Sequence, residues 1–223
     1  MFITFEGAEG SGKSSQAAAL AQWLRSERCA APRVVVLTRE PGGTSLGERL
    51  RELFLQTDFP LDAATQLLLL SAARRQHLHE VVLPALARGE VVLCDRYSDS
   101  TRAYQGGGEG LAVETVESAI RLATDGREAD LTLCLDLDPE LGLRRRRAER
   151  DGGAPGAAAG WNRFDAREPA FHTRVRRGYL DLAARERNRI VTIDASRPFE
   201  AVAQEIQSVV CGKLSGASSG GTS

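Results

Sequence analysis

The residues best suited to chemistry come near the start of the chain. Gly7, Ala8, Glu9, Gly10, Ser11, Gly12, Lys13 and Ser14 match the pattern G-x-x-x-x-G-K-[ST]. An apolar run at 2–5 precedes them and helical spacing follows, which is the strand-loop-helix setting that a phosphate cradle needs. Glycines let the main chain wrap so that its N–H groups point at a β-phosphate, and the helix N-terminus adds its dipole. Lys13 is expected to bridge the β- and γ-phosphates and Ser14 to ligate Mg²⁺. Such a loop identifies a nucleoside triphosphate and leaves the reaction open. No N-K-x-D element follows a late strand, which counts against a guanine-reading switch protein.

A second group of polar residues sits just beyond apolar runs. Thr38-Arg39-Glu40-Pro41-Gly42-Gly43-Thr44 is a turn whose proline and glycines fix the backbone. Asp95-Arg96-Tyr97 is followed by Ser100, Thr101, Tyr104 and Gln105. An acid beside an arginine at that edge suits contact with Mg²⁺-bound water, for Asp95, and clamping of a phosphate, for Arg96. Further on, 151–160 (DGGAPGAAAG) has too little apolar bulk to bury itself and is framed by Arg144 to Arg147, Arg150 and Arg163. A mobile loop framed by arginines suits a lid over phosphates, and 144–165 is expected to form it.

The elements that must position these groups alternate along the chain. Apolar runs at 2–5, 33–38, 91–95, 131–136 and 190–193 predict strands. Helical spacing predicts helices over 14–27, 63–87, 112–124, 139–147, 168–187 and 198–210. Strand-helix alternation implies an α/β fold with a five-stranded parallel sheet, helices on both faces and the active groups at the strands' carboxyl ends. The length of 223 residues suits one domain, expected over 1–211, with a Gly/Ser-rich and disordered tail over 212–223.

A formal net charge of -1 lacks the basic excess of a nucleic-acid-wrapping protein, so no nucleic-acid partner is expected. Cys29, Cys94, Cys134 and Cys211 form no CxxC pair and no Cys/His metal spacing, and Cys94 and Cys134 lie in apolar runs as small hydrophobes. No apolar stretch approaches the roughly 18 residues that span a bilayer, and the chain passes from Met1 straight into the first strand and loop. A cytoplasmic protein without a membrane partner is expected.

GAEGSGKS, TREPGGT, SAARRQ (71–76), DRYSDSTRAYQGGG (95–108), DLTLCLDLDPELGL (130–143) and RFDA (163–166) occur in the order and spacing of bacterial thymidylate kinases, which the chain resembles from about residue 2 to about residue 210. The resemblance implies a P-loop nucleoside monophosphate kinase-like fold and transfer of the γ-phosphoryl of ATP to dTMP in deoxynucleotide (dTTP) biosynthesis. Carried over by position, Glu9 meets the deoxyribose 3′-hydroxyl, Arg74 the thymine edge and Arg96 the acceptor phosphate. Thr101 looks toward the base N3, Tyr104 crowds a 2′-hydroxyl and Pro41 sits near the base methyl. Leu70, Ser100 and Gln105 complete the acceptor site, and 7–14 hold ATP. Some members carry a catalytic arginine directly after the P-loop acid; Gly10 stands there, so Arg147, Arg150 and Arg163 of the lid are the candidates. A homodimer through the helix beginning near Ala63 is implied in the same way.

Three departures accompany the likeness. Leu70 stands where a phenylalanine commonly stacks on thymine, so a weaker acceptor affinity is expected, stacking being worth roughly 0.5–1.5 kcal/mol. Asp165 replaces the usual glutamate, and the 151–160 insertion is longer than typical. Two other readings remain open from the sequence. One is a different nucleotide or deoxynucleoside kinase, with another preferred base. The other is a P-loop module that senses nucleotide, for which Arg96 would matter little to ATP binding or hydrolysis.

Overall fold

The structure, a computed structural model, describes residues 1–26, 32–56, 59–152 and 162–218. Its frame is a parallel sheet in the order β2-β3-β1-β4-β5, formed by β1 (Phe2–Glu6), β2 (Val35–Arg39), β3 (Val91–Asp95), β4 (Leu131–Asp136) and β5 (Ile190–Asp194). Every residue of β1 is buried and it pairs on both sides, Phe5 opposite Asp95 and Leu133. Burial on both faces is why the inner strands β1, β3 and β4 are near-continuous apolar runs. The register brings Glu6, Arg39, Asp95 and Asp136 to one edge of the sheet.

Helix α1 (Lys13–Arg25) lays Ala17, Leu20, Ala21 and Leu24 onto the sheet. Helix α3 (Ala63–His77) starts at Asp62, whose side chain accepts from the Thr65 amide at 2.9 Å. The single helix expected over 63–87 is a continuous helical path with a π-helical turn at Leu78–Val82 leading to α4 (Leu83–Ala87). Pro84 explains the widening: it has no N–H, and its ring would strike the carbonyl four residues back in a regular turn. Other expected elements agree to within a few residues: α6 (Val113–Thr124), α7 (Pro139–Asp151) and α8 (Pro169–Arg185).

Three stretches differ from expectation. Helix α2 (Ser45–Gln56) was not assigned from spacing, nor was α5 (Ser98–Thr101) with the π-helical Arg102–Gly108 that continues it. The glycines of that second stretch are helical because α8 presses on them. A Cβ on Gly108 would come within 2.7 Å of the Phe171 ring, and one on Gly107 within 3.3 Å of the Arg174 carbonyl. The tail expected to be disordered from Gly212 is helical to Ser218, as the end of α9 (Phe199–Ser218). Val210, with Val209 and Leu214, still packs on the core there, and Lys213 Nζ donates to the Asn188 carbonyl at 2.8 Å. Cys29, the loop 153–161 and the end of the tail lie outside the described residues.

Candidate active site

At the carboxyl end of β1 the chain turns through Gly7 at φ 139° and Gly12 at φ 84°, conformations that favour glycine. A Cβ on Gly7 would overlap the Leu135 carbonyl. Lys13 folds back over this loop: its Nζ donates to the Ala8 carbonyl at 2.8 Å and to Ser11 Oγ at 3.3 Å. Burial first, and Arg96 second, lower the Lys13 amine to about 8, against the pull of Asp95, Glu9 and Glu6. An amine so poised gains from a polyphosphate arriving beside it. Ser14 Oγ donates to Asp95 Oδ2, while Asp95 Oδ1 is buried with no hydrogen-bond partner among the described residues.

A cavity of about 640 Å³ opens beside the loop. Arg96 lines it, held at φ 72° just past β3, an uncommon conformation for a residue with a side chain. Arg96 Nη1 donates to the Gly7 carbonyl at 3.2 Å and to the Ser100 and Tyr179 hydroxyls at 3.1 Å each. Its Nη2 donates to Glu9 Oε2 at 3.2 Å and to the Tyr104 hydroxyl at 3.1 Å. Tyr104 also donates to Glu9. Burial works against the Glu9 charge, yet Arg96, Lys13 and Tyr104 hold its carboxyl below the ordinary value.

The far end of the cavity is ordered by a buried chain of polar groups. Arg74, 2% exposed, donates through Nε to Glu40 Oε2 at 2.7 Å, through Nη1 to Thr101 Oγ1 at 3.0 Å and through Nη2 to the Tyr97 carbonyl at 3.0 Å. Glu40 Oε1 is 2.8 Å from His77 Nδ1, and His77 Nε2 is 2.7 Å from Thr38 Oγ1. Although burial opposes it, Arg74 and His77 keep the Glu40 carboxyl below its usual range. Gln105, a residue of the cavity wall, gives its amide to Gln66 Oε1 at 3.2 Å, and its own Oε1 is buried and unpartnered among the described residues. Leu70, Pro41 and the rings of Phe54 and Phe164, centroids 5.3 Å apart, close this end.

Of the residues expected at the site, Glu9, Gly10, Gly12, Lys13, Ser14, Pro41, Leu70, Arg74, Asp95, Arg96, Ser100, Thr101, Tyr104 and Gln105 border this one cavity. Gly7 and Ala8 form the loop behind it, and Ser11 borders a smaller cavity of about 220 Å³ with Gln16, Arg145, Arg197, Phe199 and Val202. Arg147, Arg150 and Arg163 do not border the large cavity. Arg147 and Arg150 are exposed on α7, Arg150 donating to Asp151 at 2.8 Å. Arg163 lies over the Phe54 and Phe164 rings and donates to the Leu61 carbonyl at 3.3 Å.

The arginine of α7 that does reach the cavity is Arg146, gripped by the fully buried side chain of Asp165 through Nε and Nη2 at 3.2 Å each, and by Glu149 at 2.9 Å. Four consecutive arginines gave helical spacing nothing with which to single it out. Sequence reasoning also passed over Arg51 and Phe54, three apart on α2, together with Glu6, Glu40, His77 and Tyr179. An acid closing an otherwise apolar strand is the one signal that could have marked Glu6.

The P-loop and the first turn of α7 meet main chain to main chain. Gly10 stands at φ 71°, and a Cβ there would overlap the Gly142 carbonyl, while one on Gly142 would overlap the Glu9 carbonyl. Arg145 Nη1 ties the same contact, donating to the Gly10 carbonyl at 3.4 Å and the Ala195 carbonyl at 3.0 Å.

A family model described as Thymidylate kinase matches residues 5–206. The chain is 45% identical to the thymidylate kinase of Nostoc punctiforme over 216 residues, covering 96% of this chain and 97% of the relative. It is 47% identical to that of Pseudomonas putida over 216 residues, covering 96% and 98%. A crystal structure of thymidylate kinase from Ehrlichia chaffeensis superposes with a TM-score of 0.72 at 35% identity, covering 94% of this chain and 97% of that one.

Proposed function

The chain belongs to the thymidylate kinase family and phosphorylates dTMP to dTDP with ATP as donor, and from that premise we propose which of its residues carry each part of the reaction. Arg96 receives the acceptor phosphate. The observation that carries this reading is its place: one guanidinium on the cavity wall meets both the phosphate loop and the carboxylate of Glu9. A dianion arriving there gives Nη2 a charge-assisted partner in place of the neutral Tyr104 hydroxyl, while the Nη1 contacts stay.

The base then lies toward Arg74, whose fork is fixed by Glu40 and Thr101. Gln105, on the cavity wall with an unpartnered side-chain oxygen, supports a polar base at this end. Tyr104 and Glu9, already in contact beside Arg96, are left to meet the deoxyribose. Leu70, Pro41, Phe54 and Phe164 cover the ring. Arg51, on the same cavity and tied to the Pro41 carbonyl at 2.9 Å, adds positive charge near the acceptor.

On the donor side the amides of 7–14 and Lys13 take the polyphosphate, and the smaller cavity beside Arg145 and Phe199 seats the nucleoside. Mg²⁺ is proposed as the cofactor. Ser14 Oγ and, through water, the unpartnered Asp95 Oδ1 fit an ion that keeps its waters and takes only one or two protein oxygens. The described residues hold no cluster of three or more acidic, His or Cys side chains for a metal. When bound, the ion neutralises charge on the β- and γ-oxygens. Lid arginines complete the neutralisation; Arg146 joins Arg147, Arg150 and Arg163 as a candidate because it alone of the four borders the cavity. No general base is needed, since the acceptor phosphate is already an anion.

We also propose a cytoplasmic homodimer with no nucleic-acid partner. Leu68 on α3 and Leu122 on the neighbouring α6, 68% and 78% exposed, support a second copy on that face. Among the described residues no helix is long and apolar enough to cross a membrane.

The test is steady-state kinetics with dTMP, dCMP, dGMP and UMP. Arg96→Ala is expected to lower kcat/KM for dTMP by about 10²–10³-fold with ATP binding retained. Arg74→Ala is expected to raise the KM for dTMP and narrow the preference for it over dCMP. Unchanged dTMP kinetics in both variants would refute the assignment.

A further inference from the structure

Beneath Arg96 lies a carboxylate that the proposed reaction does not touch. We propose that Glu6 is a positioning residue for the acceptor phosphate: it sets the direction of the Ser100 and Tyr179 hydroxyls, and those hydroxyls hold Arg96 in place. The inference rests on the reading of Arg96 as the acceptor-phosphate clamp.

The argument is a donor count. Glu6 is fully buried and accepts three hydrogen bonds: the Tyr97 amide on Oε1 at 2.7 Å, and the Ser100 and Tyr179 hydroxyls on Oε2 at 2.6 and 3.0 Å. A hydroxyl has a single proton. Once Ser100 and Tyr179 give theirs to the charged acceptor, each turns only lone pairs toward Arg96 Nη1, which donates to both at 3.1 Å. The two oxygens are 2.9 Å apart, so a proton that does not go to Glu6 goes to the other hydroxyl or faces the guanidinium.

Ionised Glu6 therefore gives one consistent arrangement: both hydroxyl protons are drawn away from Arg96, whose Nη1 faces the two hydroxyl oxygens beside the Gly7 carbonyl. Protonated Glu6 has a hydrogen of its own to place and takes up a lone pair of one hydroxyl, so it no longer draws both hydroxyl protons and one of them is free to turn toward the guanidinium. The clamp residue also sits at φ 72°, a conformation that persists only where its surroundings insist on it.

The switch between these arrangements falls in the neutral range. Burial first, then Asp99, push the Glu6 carboxyl up to about 7, against Ser100, Arg96 and Tyr97. The groups facing it come from every neighbouring element: Lys13 on α1, Arg74 on α3, Cys94 on β3, Arg96 and Tyr97 after it, Asp99 on α5, Cys134 on β4 and Tyr179 on α8. Asp99 stays charged because Arg189 and Arg102 offset its burial. Folding keeps Glu6 protonated to higher pH than in the open chain, so the fixed orientation of the two hydroxyls under Arg96 is lost as pH falls through about 7.

The test uses the full-length enzyme with Glu6→Gln, which keeps the size and removes the charge, and Tyr179→Phe. kcat/KM for dTMP is followed from about pH 6 to about pH 8.5, with KM for ATP and circular-dichroism melting as controls. At the alkaline end Glu6→Gln is expected to lower kcat/KM for dTMP about tenfold, the worth of one charge-supported hydrogen bond. KM for ATP stays within about twofold.

The ratio of parent to Glu6→Gln then shrinks toward one at the acid end. The second ionisation of dTMP itself cancels in that ratio. Tyr179→Phe loses about threefold and keeps the acid limb. A pH-independent ratio, or parental dTMP kinetics in either variant, overturns the inference while a damaged Arg96→Ala leaves the clamp intact. An undamaged Arg96→Ala removes the reading beneath it. Should Glu6→Gln fail to fold, parental kinetics in Tyr179→Phe suffice to overturn the inference.

Discussion

The two ends of the active cavity are built on opposite plans. The donor end is main chain: residues 7–14, contiguous in sequence, form the cradle, and one side chain, Lys13, lies across it. The acceptor end is side chain: Glu9, Glu40, Arg74, Arg96, Tyr104 and Tyr179 arrive from six places and are held by one another. A main-chain cradle is rigid through its dihedrals, whereas a side-chain net is rigid only while every partner is present. Substitutions beyond direct contact should therefore cost much at the acceptor end and little at the donor end.

The largest effect tests the donor end directly. Lys13→Ala removes the cradle's one positively charged side chain and is expected to lower kcat by about 10²–10³-fold, read by coupled ADP release, with little change in dTMP binding. A weaker form of the same test needs no substitution. The free enzyme's Lys13 loses its proton through about 8, so calorimetric affinity for a non-hydrolysable ATP analogue should fall as pH rises above that value, approaching about tenfold per pH unit.

Glu40→Gln probes the acceptor net two bonds from the base. It strands the buried Arg74 charge and is expected to cost about 3 kcal/mol in urea unfolding and to raise the KM for dTMP while sparing that for ATP. Equal damage to both nucleotides would break the contrast between the ends. Gly142→Ala pushes on the Glu9 carbonyl from α7; about 1–3 kcal/mol of overpacking is expected, with KM for ATP raised more than that for dTMP. Leu70→Phe is the smallest. Phe54 and Phe164 already present rings to that end of the cavity, so KM for dTMP should change by less than about threefold.

The same contrast governs what could be read from the residues alone. A cradle made by eight consecutive residues is a string, and Gly7 to Ser14 could be assigned before any fold was known. The acceptor net has no string. Arg96 came forward from its place beside Asp95, and Arg74 through likeness to a family, while Glu40 sat inside a turn dominated by its glycines, and His77 lay in a helix that packing alone would explain. Tyr179 is one more apolar-facing residue of α8 until its hydroxyl is traced to Glu6. The three inner strands were legible because each is buried on both faces. The π-helical stretch at Arg102–Gly108 was not, because three glycines argue for a turn unless a neighbouring helix presses against them.

The glycine pair at positions 10 and 142 also fixes what this enzyme could become. A chain that carried its catalytic arginine at position 10 would have to seat a Cβ where α7 now runs, so the new side chain and a displaced lid root would have to be acquired together. Neither change helps without the other, and single-residue drift between the two designs passes through a misshapen intermediate.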